Sequence, residues 1–145
     1  MSVESVTVEA LLVYCDGGSR GNPGPAAIGA VVLDATVDPP ERLATVSECI
    51  GIATSNQAEY RALIGALEAA KQFGATSMSV RADSELLVRQ LEGRYRVKSA
   101  KLRPLYEQAR GLLAAYAEVS LEHVRREFNV DADALVNAAL DSVDG

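Results

Sequence analysis

Hydrophobic residues fall into short runs in the first third of the chain. Residues 6–15, 28–33 and 44–52 are rich in Val, Leu, Ile and Ala, and each run is too short for a helix, so the pattern predicts three strands. A loop rich in Gly, Asn and Pro (17–25) joins the first two runs, and an acidic, Pro-containing stretch (34–41) joins the second to the third. Neighbouring strands connected in this way are predicted to be antiparallel.

The pattern then changes to a helical period. Apolar positions between residues 56 and 73 mark one helical face, and Gly74 follows as a C-cap. Segment 78–82 predicts a fourth strand. Ser84 is a suitable N-cap for a short helix that ends before Gly93.

The last third of the chain predicts a helix, a strand and a closing helix. Pro104 lies near the start of the first helix, residues 119–124 form a fifth strand, and the apolar stripe of the closing helix includes Ala132, Val136 and Leu140. We therefore predict an α/β protein with a mixed α+β sheet of five strands flanked by helices. The element order is β-β-β-α-β-α-α-β-α, in a single domain over residues 1–145.

The composition indicates a globular protein without membrane spans. The chain has 145 residues, and its 48% apolar content with 23% charged residues is ordinary for a globular protein. No apolar run approaches the ~20 residues that span a bilayer, so no membrane partner is expected. The first ten residues do not resemble a secretion signal. Two cysteines, Cys15 and Cys49, do not form a disulfide framework. We expect a reduced, cytoplasmic monomer.

The charge is unevenly distributed. The net charge is −6, which by itself argues against a nucleic-acid partner. Residues 89–103, however, contain six basic residues and one acid. Such a run is commonly a solvated surface. Its position directly after Asp83 favours a patch that contacts phosphates beside an acidic site.

Four acidic residues stand where globular proteins seldom place a charge. Asp16 ends an apolar run, Glu59 shares a helical stripe with apolar residues, Asp83 closes the fourth strand, and Asp133 lies in the first turns of the closing helix. Carboxylates that converge at the ends of strands and helices would repel one another unless a cation held them. Hard oxygen ligands suit Mg²⁺ or Mn²⁺, and this points to metal-assisted phosphoryl chemistry.

Each feature also has a simpler interpretation. Glu59 and Asp133 could compensate helix dipoles, and Asp83-Ser84 could be only a strand end followed by a cap. The Gly-rich loop lacks the Gly-Lys-Ser/Thr of a P-loop and leads into a strand, so it is neither a P-loop nor a dinucleotide-binding turn. It could be a tight connection alone. Next to Asp16, its glycines would let a substrate backbone approach closely.

Four segments together resemble type 1 ribonucleases H over nearly the whole chain. They are Tyr14-Cys15-Asp16-Gly17-Gly18-Ser19-Arg20-Gly21-Asn22-Pro23-Gly24-Pro25, Thr54-Ser55-Asn56-Gln57-Ala58-Glu59-Tyr60, Asp83-Ser84, and Asn129-Val130-Asp131-Ala132-Asp133-Ala134-Leu135. The resemblance implies the element order predicted above. It also implies an endonuclease that cuts the RNA strand of an RNA/DNA hybrid, leaving 3′-hydroxyl and 5′-phosphate ends.

The resemblance also implies the roles of individual residues. Asp16, Glu59, Asp83 and Asp133 would bind two Mg²⁺ or Mn²⁺ ions, with Asp16 bridging both, Glu59 and Asp83 holding one, and Asp133 the other. One ion would activate a water and the second would stabilise the leaving 3′-oxygen. The expected substrate-binding residues are Gly17, Gly18, Ser19, Asn22, Asn56 and Gln57 on the RNA strand, Thr54 on a DNA phosphate, and Ser84 near the cut.

The chain departs from the family pattern in three places. It lacks the His-containing loop that precedes the fourth carboxylate in many members, and we expect His123 to pack in its strand while Arg126 or Glu127 takes over the role of that loop. A tryptophan-bearing basic protrusion is absent, and residues 94–98 are interpreted as a reduced version. Ile52 stands where Arg is frequent, which predicts modest, salt-dependent affinity for the hybrid.

Two other functions stay open at this point. A catalytically silent nucleic-acid-binding module could keep the fold, although clustered negative charge facing phosphates would not help it to bind. Related phosphoryl chemistry, such as DNA nicking or strand transfer, would use the same carboxylates.

Overall fold

The computed structural model describes residues 7–144, with side chains up to residue 142. The strands are β1 (Ala10–Ser19), β2 (Gly24–Asp34), β3 (Glu41–Ala53), β4 (Ser77–Ala82) and β5 (Glu118–His123); the helices are α1 (Ser55–Ala70), α2 (Glu85–Leu91), α3 (Arg103–Leu113) and α4 (Val130–Asp144). Single 3₁₀ turns cover Lys71–Phe73 and Arg126–Phe128. The predicted element order and fold class are confirmed.

One five-stranded mixed sheet organises the fold. Its strand order is β3-β2-β1-β4-β5. The pairs β1–β2 and β2–β3 are antiparallel, as predicted, whereas β1–β4 and β4–β5 are parallel. The parallel pairing of β1 with β4 ends at Cys15 and Ala82, so the next residues, Asp16 and Asp83, come together at one edge of the sheet.

Helices cover both faces of the sheet. Alternate residues of a strand point to opposite faces. On one face Leu11, Val13 and Cys15 join the main core with α1, to which Leu63 and Leu67 contribute. On the other face α4 packs a smaller cluster, composed of Ala27, Val136, Ala139 and Leu140. The side chain at residue 16 belongs to the α4 side of β1.

The predicted bounds of the first strand and the following loop were wrong. The strand was predicted at residues 6–15, of which residue 6 lies outside the described part of the chain. In the structure β1 continues through Gly17 and Gly18 to Ser19, because these residues pair in register with β2. The Gly-rich connection consequently shortens to residues 20–23. The other strands begin or end one to four residues away from their predicted limits, since tertiary pairing extends them.

The predicted helix signals are confirmed. Ser84 caps α2 by accepting a hydrogen bond from the amide of Leu87 (3.2 Å), and Pro104 lies in the first turn of α3. Gly74 ends the 3₁₀ turn after α1 with a left-handed φ of 59°. Within residues 7–144, none of the helices has the length and apolarity to cross a bilayer.

Candidate active site

The four predicted carboxylates come from four different elements and meet at the edge where β1 and β4 end. Asp16 lies in β1, Glu59 in the second turn of α1, Asp83 between β4 and α2, and Asp133 in the first turn of α4. Dipole compensation therefore does not explain Glu59, because α1 begins four residues earlier and has no acid in its first turn.

Three of these carboxylates form a compact group. One oxygen each of Asp16, Glu59 and Asp83 lies within 4.8 Å of the other two. Asp133 lies outside this triad, but its side chain approaches Asp16 closely enough to help raise the pKa of that carboxyl. A pocket of about 290 Å³ contains Asp16, Glu59 and Asp133 together with Arg126 in its wall.

Burial and mutual repulsion make ionisation of this cluster unfavourable. The pKa of Asp16 is raised to about 8 by burial, then by the charges of Asp83 and Asp133. The pKa of Glu59 is raised to about 9 by burial, then by Asp16 and Asp83. Without a cation, the raised pKa values favour the protonated forms of these two carboxyls. A bound divalent ion would replace those protons.

The donor set fits a hard divalent cation. Glu59 Oε2 is buried and accepts no hydrogen bond from the residues that the structure describes. A buried carboxylate oxygen without a partner destabilises the folded state unless a hydrogen-bond donor or a cation binds it. Three clustered carboxylates with an oxygen free for coordination suit Mg²⁺, Mn²⁺ or Ca²⁺ better than softer metals. The chemistry of the acidic cluster therefore suits a divalent metal ion.

Arg126 is the main counter-charge that the structure places against this cluster. Its positive charge lowers the pKa of both Asp16 and Glu59, opposing the larger effects that raise them. It lies in the 3₁₀ turn before α4 and lines the same pocket as the carboxylates. Of the two residues proposed to replace the missing loop histidine, Arg126 lines the acidic pocket, whereas Glu127 does not line it and pairs with Arg125 at 3.4 Å.

Two asparagines hold Asp133 in place. Asn129 is 1% exposed, and its Nδ2 donates to the carbonyl oxygen of Cys15 at 2.9 Å, directly before Asp16 in β1. The carbonyl of Asn129 accepts from the amide of Asp133 at 3.1 Å. Asn137 Nδ2 donates to Asp133 Oδ2 at 3.3 Å. Neither asparagine has a predicted role in the sequence; the signal available was an amide four residues before and after an acid on one helical face.

The predicted substrate residues of the Gly-rich segment belong to two parts of the structure. Gly17, Gly18 and Ser19 are strand residues that line the pocket, not loop residues as predicted. Ser19 Oγ donates to the carbonyls of Ala53, at 2.9 Å, and Gly21. Asn22 lies in the turn, where its Oδ1 accepts from the amide of Ser55 at 3.0 Å.

Of the polar residues at the start of α1, two cap the helix and one is exposed to solvent. Thr54 and Gln57 form a capping box, in which Thr54 Oγ1 accepts from the Gln57 amide at 3.2 Å and Gln57 Oε1 accepts from the Thr54 amide at 2.8 Å. Asn56 is exposed. The capping bonds fix the direction in which this end of α1 meets solvent.

A second, shallower cleft lies beside the acidic pocket and joins the start of α1 to the basic run. Its volume is about 250 Å³. The residues that line it are Asn22, Thr54, Asn56, Gln57, Ser99, Lys101 and Leu102. The cleft thus combines four predicted substrate residues with one cation and a hydroxyl from residues 92–102. Ser99 and Lys101 had no individual role in the sequence prediction, because only the fold brings them to α1.

The structure shows where the three departures from the family pattern lie. His123 is the last residue of β5, within the strand as expected, and is half-buried with Nδ1 3.7 Å from Glu85 Oε2. Residues 94–98 form no helix, and Val97 is buried in the core. Ile52 is 71% exposed near the end of β3, two residues before Thr54.

Comparison with known proteins gives consistent matches. A family described as "Reverse transcriptase-like" matches residues 14–139. The chain is 46% identical over 132 residues to "Bifunctional protein Rv2228c" of Mycobacterium tuberculosis, which covers 91% of this chain and 36% of that protein. It is 47% identical over 130 residues to "Ribonuclease HI" of Halobacterium salinarum, covering 88% of this chain and 63% of that protein. The chain thus spans about a third to two thirds of these relatives.

Solved structures match over nearly their whole length. The N-terminal RNase H domain of Rv2228c superposes with a TM-score of 0.87 at 46% identity, covering 91% of this chain and 99% of that one. LC11-RNase H1, whose structure was solved in complex with an RNA/DNA hybrid, gives a TM-score of 0.86 at 40% identity, covering 93% and 99%. The likeness therefore extends through the sheet and all the site-bearing elements.

Proposed function

We propose that this chain, which belongs to the type 1 ribonuclease H family, hydrolyses the RNA strand of RNA/DNA hybrids as an endonuclease. The products would carry 3′-hydroxyl and 5′-phosphate ends. The observation that carries the proposal is the acidic triad, in which Asp16 is buried and a buried Glu59 oxygen has no hydrogen-bond partner among the described residues. A cleft that offers hydroxyl, amide and ammonium groups lies near it. The relative solved with an RNA/DNA hybrid supports the choice of substrate.

We propose Mg²⁺ or Mn²⁺ as the cofactor, with two ions per site. Asp16 would serve both ions, Glu59 and Asp83 one of them, and Asp133 the other. When bound, such ions supply the Lewis acidity that phosphodiester hydrolysis requires. The separation of Asp133 from the compact triad supports two positions over one.

The chain's own residues contribute positioning and charge. Arg126 supplies positive charge at a site where an anionic phosphodiester must approach four carboxylates. Asn129 and Asn137 keep Asp133 directed at Asp16, and the capping box holds α1 so that Glu59 stays in the group. No side chain is required as a covalent nucleophile.

Both strands of the hybrid have proposed contacts. The cleft with Thr54 and Lys101 would hold a phosphate of the DNA strand by charge-assisted hydrogen bonds. Gly17, Gly18, Ser19, Asn22, Asn56 and Gln57 would face the minor groove of the RNA strand, and Ser84 would lie near the cut. The 2′-hydroxyl, which both donates and accepts, is the group by which such contacts distinguish RNA from DNA.

Charge distribution is compatible with this substrate. The chain is acidic overall, but residues 92–102 contain four basic residues, of which Lys101 lines the cleft. Local basic surface is sufficient to attract a polyanion, with affinity that falls as salt rises. We propose that the protein acts as a monomer in the cytoplasm.

A three-substrate cleavage assay tests the function. Labelled RNA/DNA hybrid, duplex DNA and duplex RNA of one sequence are incubated with and without Mg²⁺ or Mn²⁺. We expect cleavage of the RNA strand of the hybrid only when the metal is present. Asp16→Asn should abolish cleavage while the protein keeps its circular dichroism spectrum. Asp38→Asn, an exposed carboxylate in the β2–β3 connection, is the matched control and should cleave as the wild type does.

The other outcomes identify the rival functions. Retention of the hybrid without cleavage in either metal would indicate a catalytically silent binding module. Cleavage or joining of duplex DNA would indicate nicking or strand transfer by the same carboxylates.

A further inference from the structure

A buried chain of hydrogen bonds connects α1 to the basic loop, defined here as residues 92–102. The Tyr60 hydroxyl donates to Gln90 Oε1 at 2.5 Å, and Gln90 Nε2 donates to the carbonyl oxygen of Arg96 at 3.2 Å. Tyr60 and Gln90 are 1% and 4% exposed. Tyr60 directly follows Glu59, so one end of this relay is covalently attached to the acidic cluster.

The relay has a single direction. Gln90 Oε1 can only accept and so takes the proton of the Tyr60 hydroxyl, while Gln90 Nε2 can only donate and so binds the Arg96 carbonyl. The Gln90 side chain is thereby oriented with its NH₂ toward the basic loop. Because the Tyr60 hydroxyl and the Gln90 amide are removed from water, losing either hydrogen bond would destabilise the folded protein.

The basic loop depends on such anchors for its position. Arg94, Arg96, Lys98 and Lys101 repel one another within a short irregular segment. At residues 96 and 97 the backbone is held by side chains: Gln90 binds the Arg96 carbonyl, and Arg103 donates to the Val97 carbonyl at 2.9 Å. These anchors lie a few residues before Ser99 and Lys101, which line the cleft with Thr54.

We propose that Tyr60 and Gln90 are positioning residues, which fix the basic loop against α1 so that Ser99 and Lys101 can hold a phosphate of the bound nucleic acid. This inference rests on the proposed hybrid substrate. The relay would set the distance between the acidic cluster and the phosphate cleft, because Glu59 and the loop are tied to the same buried amide. Neither residue touches the substrate.

A double variant distinguishes an effect on the position of the basic loop from a loss of stability. Tyr60→Phe alone leaves Gln90 Oε1 unsatisfied, and Gln90→Met alone leaves the Tyr60 hydroxyl unsatisfied, so each should lower the melting temperature. Tyr60→Phe combined with Gln90→Met replaces both polar groups by apolar groups of similar volume and should recover most of the stability. The Arg96 carbonyl would still lack its anchor.

Binding of a labelled RNA/DNA hybrid is measured by fluorescence anisotropy with Ca²⁺ in place of the catalytic metal, over a series of salt concentrations. For the double variant we expect about tenfold weaker binding and a salt slope reduced by about 0.9 for each phosphate that the loop no longer neutralises. In Mg²⁺ the KM should rise in proportion, while kcat stays within about twofold of wild type. Tyr116→Phe, a half-buried tyrosine at the opposite edge of the sheet, is the matched control and should change none of these quantities.

The outcomes distinguish this inference from the proposed function. A double variant with recovered stability and with the affinity and salt slope of the wild type would overturn the positioning role. If the double variant does not fold, Gln90→Met is judged by the same comparison, because it also removes the donor to the Arg96 carbonyl. Wild-type binding without cleavage would refute the proposed function alone, and absence of hybrid binding by the wild type would overturn both.

Discussion

Gly17 in β1 packs so closely against the backbone of Glu59 in α1 that no side chain fits between them, and its amide partly offsets the raised pKa of the Glu59 carboxyl. A Cβ atom on Gly17 would lie 2.2 Å from the carbonyl carbon and oxygen of Ala58 and 2.5 Å from the Glu59 nitrogen. These are backbone atoms of α1 and cannot turn away. The place of Glu59 in the acidic cluster therefore depends on a glycine beside Asp16.

Gly17→Ala should displace α1 from β1. We expect a decrease of about 1–3 kcal/mol in the free energy of unfolding, as for other overpacked sites, and a large decrease in metal affinity because Glu59 moves out of the group. Thermal unfolding with and without Mn²⁺ measures both effects. Gly111→Ala is the matched control, since nothing lies within 4 Å of its added Cβ, and it should be neutral or stabilising. An unchanged Mn²⁺-induced rise in melting temperature for Gly17→Ala would contradict the prediction.

The metal-free protein should lose stability as pH rises. In the unfolded chain the carboxyls of Asp16 and Glu59 ionise near pH ~4, whereas in the folded protein their pKa values are raised to about 8 and about 9. Between these limits the folded state binds more protons than the unfolded state. The stabilisation is thus complete below pH ~4 and is lost as pH rises through the folded pKa values. Melting temperatures in EDTA from about pH 5 to about pH 9 measure the slope.

Glu59→Gln provides the corresponding test by substitution. The neutral amide cannot ionise, so the free energy of unfolding should depend less on pH. At neutral pH in EDTA we expect it to be higher than in the wild type by on the order of 2 kcal/mol. The same variant should gain little stability from Mn²⁺, whereas the wild type should gain more as pH rises, because metal binding releases protons. Glu48→Gln, an exposed strand residue, is the control. A Glu59→Gln protein that is less stable than wild type in EDTA would refute this account.

Arg126→Ala should make the metal site harder to ionise. Arg126 lowers the pKa of Asp16 and Glu59, so its removal should shift the pH midpoint of Mn²⁺ binding upward and reduce kcat by about tenfold. Isothermal titration over a pH series and cleavage kinetics measure the two effects. Arg125→Ala, with a side chain 81% exposed, is the neighbouring control and should leave the midpoint unchanged. The same pH midpoint and the same kcat in Arg126→Ala and Arg125→Ala would show that Arg126 does not act on the metal site.

Ile52→Arg should strengthen binding of the hybrid. Ile52 is 71% exposed beside the phosphate cleft, so a guanidinium there can reach a phosphate without disturbing the core. We expect several-fold tighter binding at low salt and a salt slope steeper by about 0.9. Val37→Arg adds the same charge at an exposed aliphatic residue in the β2–β3 connection and should change the slope less. Identical slopes for the two variants would show that only net charge matters.

Local sequence signals predicted the elements well and their limits less well. Ser84, Gly74 and Pro104 fixed helix ends because capping and ring constraints act within a few residues. The end of β1 was wrong because Gly17–Ser19 have no strand signal of their own. They are extended because β2 supplies hydrogen-bond partners on the other side of a short turn.

The sequence by itself determined the fold class, the order of elements and the four acidic residues, because hydrophobic periodicity and misplaced charges can be recognised along the chain. The tertiary structure decided what surrounds those acids. Asn129, Lys101 and the Tyr60–Gln90 relay enter the proposed site through contacts between residues far apart in the chain, such as Asn129 with Cys15. A polar residue in a loop or helix carries no local mark of the partner that folding brings to it, so only the parallel pairing of β1, β4 and β5 and the packing of α1 and α4 could show the site as a whole.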